Sequence, residues 1–191
     1  MRKTVFFGVG TMAAAVAAVI VLSRPSDAQQ AAAPAGPVAT LDSSSLKGPT
    51  QPLLFRHDIH SGQLKMQCQY CHYSVQVSSE PGIPSMQTCM GCHAVVKGTT
   101  DENRAEIKKL TDAWGKKQPI EWVRIHAVAR HVRFPHSRHI KALGANACAT
   151  CHGNVARMAQ VYQVNNVNNM GWCVTCHLQR NVTRDCTACH Y

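Results

Sequence analysis

All ten cysteines of this 191-residue chain fall into five copies of Cys-x-x-Cys-His, and none is left over. The copies are Cys68, Cys71 and His72; Cys89, Cys92 and His93; Cys148, Cys151 and His152; Cys173, Cys176 and His177; and Cys186, Cys189 and His190. Two thiols one helical turn apart can each add to a vinyl group of one haem, and the next residue, histidine, is then held beneath the iron as its proximal ligand. The pattern therefore predicts five covalently bound haem c groups. A disulfide framework gives no reason for a histidine after every second cysteine. Zinc sites prefer four protein ligands, among which five odd pairs distribute poorly. Aromatic residues make up only 6% of the chain, so side chains alone promise a thin core. Large, flat porphyrins would supply the missing interior.

The formal charge of +10 suggests an anionic partner. Ionised haem propionates would offset about one charge per ferric haem, roughly half of that excess. With no aromatic-interleaved basic patch, no nucleic-acid partner is expected. Residues 1–24 read as a signal anchor: Arg2 and Lys3 precede an uncharged stretch from Thr4 to Leu22, long enough to cross a bilayer as a transmembrane helix. The charge order puts the N-terminus in the cytoplasm and the haem domain in the periplasm. Ser26-Asp27-Ala28 is an alternative cleavage site. Residues 25–52, rich in Ala, Pro and Ser, read as a flexible linker.

Residues 53–191 are expected to form the haem domain, mainly α with much irregular structure wrapped around five haems. An internal repeat divides it. Phe55-x-His57-x-x-His60 precedes Cys68, and Phe134-x-His136-x-x-His139 precedes Cys148 at nearly the same distance. This gives one module at 53–98 with two motifs and another at 120–191 with three. Between them the pattern predicts a helix, opened by a Thr99/Glu102 capping box, packed through Ile107, Leu110 and Trp114, and stopped by Gly115 and Pro119. Ile120–Val132 reads as extended structure or a short helix, and Val155–Val164 as another short helix.

Six histidines remain after the proximal five: His57, His60, His126, His131, His136 and His139. The four in the repeated Phe-x-His-x-x-His segments are expected distal ligands, since a three-residue spacing puts both imidazoles on one helical face. His126 is the first choice for the one distal position that remains, with His131 or Met170 as alternatives. A thioether ligand would raise that haem's potential above its bis-histidine neighbours. Met66, Met86, Met90 and Met158 read as packing residues. With both axial positions filled, no haem offers an open site, and no carboxylate pair, serine triad or phosphate loop occurs elsewhere. Electron transfer without a catalytic site of its own is the expectation. A free-standing periplasmic shuttle is the alternative, and a catalytic reductase would need a five-coordinate haem.

The order of these motifs resembles one family closely. Phe-x-His-x-x-His and Cys-x-x-Cys-His are followed by Ile83-Pro84-Ser85-Met86 leading into Cys89-Met90-Gly91-Cys92-His93. Then come Trp122-Val123-Arg124-Ile125-His126, the second Phe-x-His-x-x-His, and Met170-Gly171-Trp172-Cys173. This succession resembles the pentahaem cytochrome subunit of alternative complex III, over nearly all of residues 53–191, and is similar to class III multihaem cytochromes and to menaquinone reductase cytochrome subunits. The resemblance implies an iron–sulfur/molybdopterin-oxidoreductase-like subunit and integral membrane quinol-oxidising subunits as partners, with a periplasmic electron acceptor. Ala129-Arg130 stands where that pattern has Pro-Asp, which leaves the role of the adjacent His131 open.

Overall fold

A computed structural model describes residues 46–191. Seven α-helices lie in this span: α1 (Cys68–Cys71), α2 (Met86–His93), α3 (Asp101–Gly115), α4 (His136–Leu143), α5 (Ala147–His152), α6 (Met170–Gln179) and α7 (Cys186–Cys189). Five of them carry the Cys-x-x-Cys-His motifs and are correspondingly short, because the motif needs only one turn to set its two thiols. Little else is regular. Among the described residues the β structure amounts to one antiparallel bridge, Val132 to His190. The fold is thus mainly helical with long irregular connections. The expected transmembrane segment and most of the linker lie outside the described residues, and no described helix is long and apolar enough to cross a membrane.

The core is as thin as the composition predicts. The buried apolar residues are Leu53, Val75, Leu110, Ala147 and Met158, and no large side chain among the described residues is wholly enclosed. Met158 fulfils its expected packing role.

α3 is the longest element, and its boundaries differ from the sequence reading by one residue. Thr100, not Thr99, is the N-cap: its hydroxyl oxygen accepts the backbone N–H of Asn103 at 3.2 Å. Thr99 instead turns its carbonyl to the Arg104 guanidinium at 3.1 Å. Either threonine satisfies the local pattern, and the Arg104 side chain occupies the carbonyl of the earlier one. Ile107 and Leu110 face inward, but Trp114 is 43% exposed and is not part of that packing. The chain leaves the helix at Lys117, whose φ is +54°, two residues past Gly115. The short helix expected over Val155–Val164 contracts to a 3₁₀ turn, Val155–Arg157. Met158 then goes extended, and its carbonyl accepts the Asp58 N–H at 3.0 Å.

That last bond belongs to a reciprocal arrangement. The first Phe-x-His-x-x-His segment forms a π-turn, Asp58–Gln63, which packs on the 3₁₀ turn following the third motif. Gly62 is required there, since a Cβ would collide with the carbonyl oxygen of Ala156. The second segment forms α4, which packs on the 3₁₀ turn Tyr73–Gln76 following the first motif and on α5. Each Phe-x-His-x-x-His segment therefore rests on the other half of the repeat. The end of the expected linker is also tied down: the Gln160 side-chain amide donates to the carbonyls of Lys47, Gly48 and Pro49 at 2.9–3.2 Å. Gln51 and Val123 exchange two hydrogen bonds at 2.9 and 3.0 Å.

Candidate haem-binding sites

Histidine orientation is set locally and repeatedly. In the first repeat Phe55 stands edge-on to His57 (4.7 Å, 85°) and stacks on His60 (4.4 Å, 25°). In the second, Phe134 stands edge-on to His136 (4.8 Å, 89°) and stacks on His139 (4.3 Å, 28°). His60 donates Nδ1–H to the Arg56 carbonyl at 2.8 Å, and His139 donates to the Pro135 carbonyl at 3.0 Å. Two segments of different helical type thus hold the same constellation: one ring pinned flat by phenylalanine and by a carbonyl four residues back, the other at right angles to it.

The same device orients other rings. Nδ1–H of His72 donates to Gly82 at 2.9 Å, that of His93 to Val96 at 2.9 Å, that of His136 to Ser79 at 2.5 Å, and that of His177 to Thr183 at 2.6 Å. A carbonyl can only accept, so the proton sits on Nδ1 and the lone pair on Nε2, which is the tautomer and orientation an iron ligand needs. Burial reinforces the neutral form. It lowers the pKa of His57 and of His152 to about 4, helped by neighbouring imidazoles, and lowers those of His60 and His126 as well. The buried Nδ1 of His57 and Nε2 of His126 have no hydrogen-bond partner among the described residues. Such orphaned imidazole nitrogens are costly unless another group, such as a metal, completes them.

The spacing of the rings decides which pairs can bracket an iron. Two imidazoles bonded on opposite sides of one metal, at about 2 Å per bond, have ring centres roughly 6 Å apart. His60 and His93 are 6.0 Å apart, and His139 and His177 are 6.1 Å apart. His131 lies 5.3 Å from His190, and His126 lies edge-on at 4.5 Å from His152. Met170, on the first turn of α6, is 63% exposed. The placement of His131 is the point that spacing alone did not reveal. It is brought to His190 by the Val132 bridge, by Arg133 N–H donating to the Cys189 carbonyl at 2.7 Å, and by Tyr191 N–H donating to the His131 carbonyl.

The donor set fits haem better than a bare ion. Among the described residues no three His, Cys, Asp or Glu side chains converge on a metal position, and all ten cysteines are unpaired. One or two imidazoles per site beside a pair of thiols is the axial arrangement of an iron whose other four ligands come from a porphyrin.

Comparison with known proteins agrees. Residues 34–126 match the class III cytochrome C family, and residues 132–191 match cytochrome c7 and related cytochrome c. A stretch of 102 residues is 28% identical to the protein named "Menaquinone reductase, multiheme cytochrome c subunit" of Nitratidesulfovibrio vulgaris. That match takes in 53% of this chain and 45% of the relative, so the chain spans about half the length of the curated relative it matches. These segments carry the histidine-orienting bonds of three of the five attachment motifs and all of the repeated phenylalanine–histidine geometry described above. The two matches together support multihaem cytochrome electron transfer, the chain being similar to class III and cytochrome c7-type cytochromes, families that bind c-type haem covalently.

Proposed function

We propose that this chain carries five haem c groups and serves as the periplasmic electron-transfer subunit of a membrane quinol-oxidising complex of the alternative complex III kind, tethered by its N-terminal segment. The observation that carries the reading is the set of five Cys-x-x-Cys-His helices, each presenting its histidine beside other histidines. The similarity to a menaquinone reductase cytochrome subunit supports partners that handle quinol in the membrane.

When bound, each haem supplies a one-electron couple. The chain does the rest. Paired cysteines would fix each group's position, Nδ1–H bonds leave the Nε2 lone pairs of His72, His93 and His177 free for iron, and burial keeps His57 and His152 neutral. We assign His60 to the second site and His139 to the fourth on ring spacing. His57 is assigned to the first, whose His72 is its neighbour. The third site faces both His126 and His136, and the fifth faces His131. Were these histidines to hold the irons in pairs, no iron position would be left for a substrate, and the subunit would have no catalytic centre of its own. Purified holoprotein is expected to give an iron-to-chain ratio near five and a haem-stained band that survives denaturing electrophoresis. A ratio of three or fewer, or purification without membrane partners as a soluble monomer, would overturn the respective halves of the proposal.

A further inference from the structure

Chain order and spatial order differ among the attachment sites. The first and second sites are joined by His72, whose Nδ1–H donates to Gly82 at 2.9 Å, in the loop that leads into α2. The first and third are joined by α4, which packs against both the turn that follows the first motif and α5, which carries the third. His136, at the start of α4, donates to Ser79 at 2.5 Å on the one side and neighbours His152 on the other. The third and fourth are joined across a cavity of about 600 Å³ between α5 and α6, lined by Thr150, Trp172, Thr175 and Cys176 among others. Asn165 bridges to the third motif, its amide donating to the carbonyls of Thr150 at 3.1 Å and Cys151 at 3.0 Å. The fourth leads to the fifth through His177, whose Nδ1–H donates to Thr183 at 2.6 Å, just before α7.

We infer that the five attachment sites form an unbranched row in the order second, first, third, fourth, fifth, so that the second and fifth sites are its ends. The inference rests on the proposed loading of all five sites. The thiols agree with it at every step. Cys89 neighbours Cys71; Cys148 neighbours Cys68; Cys151 neighbours Cys176 and Cys173; and Cys173 neighbours Cys189. None of these thiol neighbours links the second site to the third, fourth or fifth among the described residues.

The consequence concerns where partners exchange electrons. A row in chain order would end at the first and fifth sites, leaving the second in the interior. In this row the first site is interior, between the two halves of the repeat, and the second lies on α2, which packs against α3. An electron passing between the α2 end and the C-terminal end crosses the first and third sites in turn, at the seam where the repeats grip one another.

The test uses the fully loaded protein and compares midpoint potentials assigned to each site by paramagnetic NMR. In H60M a thioether replaces the imidazole at the second site and raises its potential. The expected result is a smaller shift at the first site and none at the third, fourth or fifth. In H139M the fourth site moves, with smaller shifts at the third and fifth and none at the second. Pulsed electron–electron resonance on unsubstituted ferric protein asks the same question without a variant: the second site should couple most strongly to the first. A strongest coupling of the second site to the third would overturn the row. If that happened while the iron-to-chain ratio stayed near five, the pentahaem reading would stand and only the order would fall; a ratio of three or fewer removes both.

Discussion

His139 illustrates how one side chain divides its work. Phe134 stacks on one face of its ring, the Pro135 carbonyl takes its Nδ1 proton, and Nε2 is left toward His177. On the proposed assignment His139→Ala removes one iron's imidazole but not the cysteines that hold the group, so haem content should stay constant while one iron changes spin state, read by electron paramagnetic resonance and visible absorption. Loss of a whole haem, or unchanged spectra, would show that His139 does not ligate. Beside the equivalent His60 sits a pair with a purely structural task. Arg56, 9% exposed, grips Asp58 with both Nε and a terminal nitrogen. Burial alone would raise the Asp58 pKa, but the Arg56 hydrogen bonds and charge outweigh it and hold the carboxyl below its usual 3.8. Arg56→Met leaves that partly buried carboxylate unpaired and should cost about 2 kcal/mol in chemical denaturation at neutral pH. A lowered folded-state pKa stabilises above the unfolded value and ceases to as pH falls through the folded one, so the difference between the two proteins should narrow below pH 3.8. The paired histidines of each Phe-x-His-x-x-His segment were legible in the sequence because spacing within one turn is local. His131 was not assigned to the fifth site because what brings it to His190 is a bridge between segments far apart in the chain.

The two Phe-x-His-x-x-His segments share ring geometry but not backbone form, one a π-turn and the other an α-helix. What differs is what each rests on. The π-turn approaches the Val155–Arg157 turn so closely that Gly62 has no room for a side chain. Gly62→Ala should therefore push the two turns apart and lower stability by about 1–3 kcal/mol, measured as a shift of the denaturation midpoint at constant haem content. A neutral substitution would show that the close approach is not maintained in solution. Sequence periodicity found α3, because a capped amphipathic helix announces itself within its own span. It misplaced the cap by one residue, where two adjacent threonines satisfy the same rule, and it overextended the helix at Val155, where Met158 is drawn into a contact with Asp58. The reciprocal seating of each ligand segment on the other half of the repeat left no trace in either half's own pattern, since it is a property of pairs of segments.

At the scale of the molecule, the polypeptide contributes little interior of its own. Five apolar residues are buried among those described, and no large side chain is fully enclosed. At about 25 cal/mol per Å² of apolar surface, so few buried side chains fall well short of offsetting the backbone entropy of a domain this long, about 1–2 kcal/mol per residue. Exposed ion pairs such as Lys108–Asp112 and Arg104–Asp101 add at most a few tenths of a kcal/mol each. The apolar surface that makes folding favourable must then come largely from the groups the cysteines bind, which would make maturation and folding a single event. Chain produced without covalent haem attachment should show no cooperative thermal transition and rapid hydrogen exchange throughout residues 46–191, whereas the loaded protein unfolds in one sharp step. A cooperative transition in the haem-free chain would mean that the thin side-chain core suffices, and that the bound groups are passengers in a fold that stands without them.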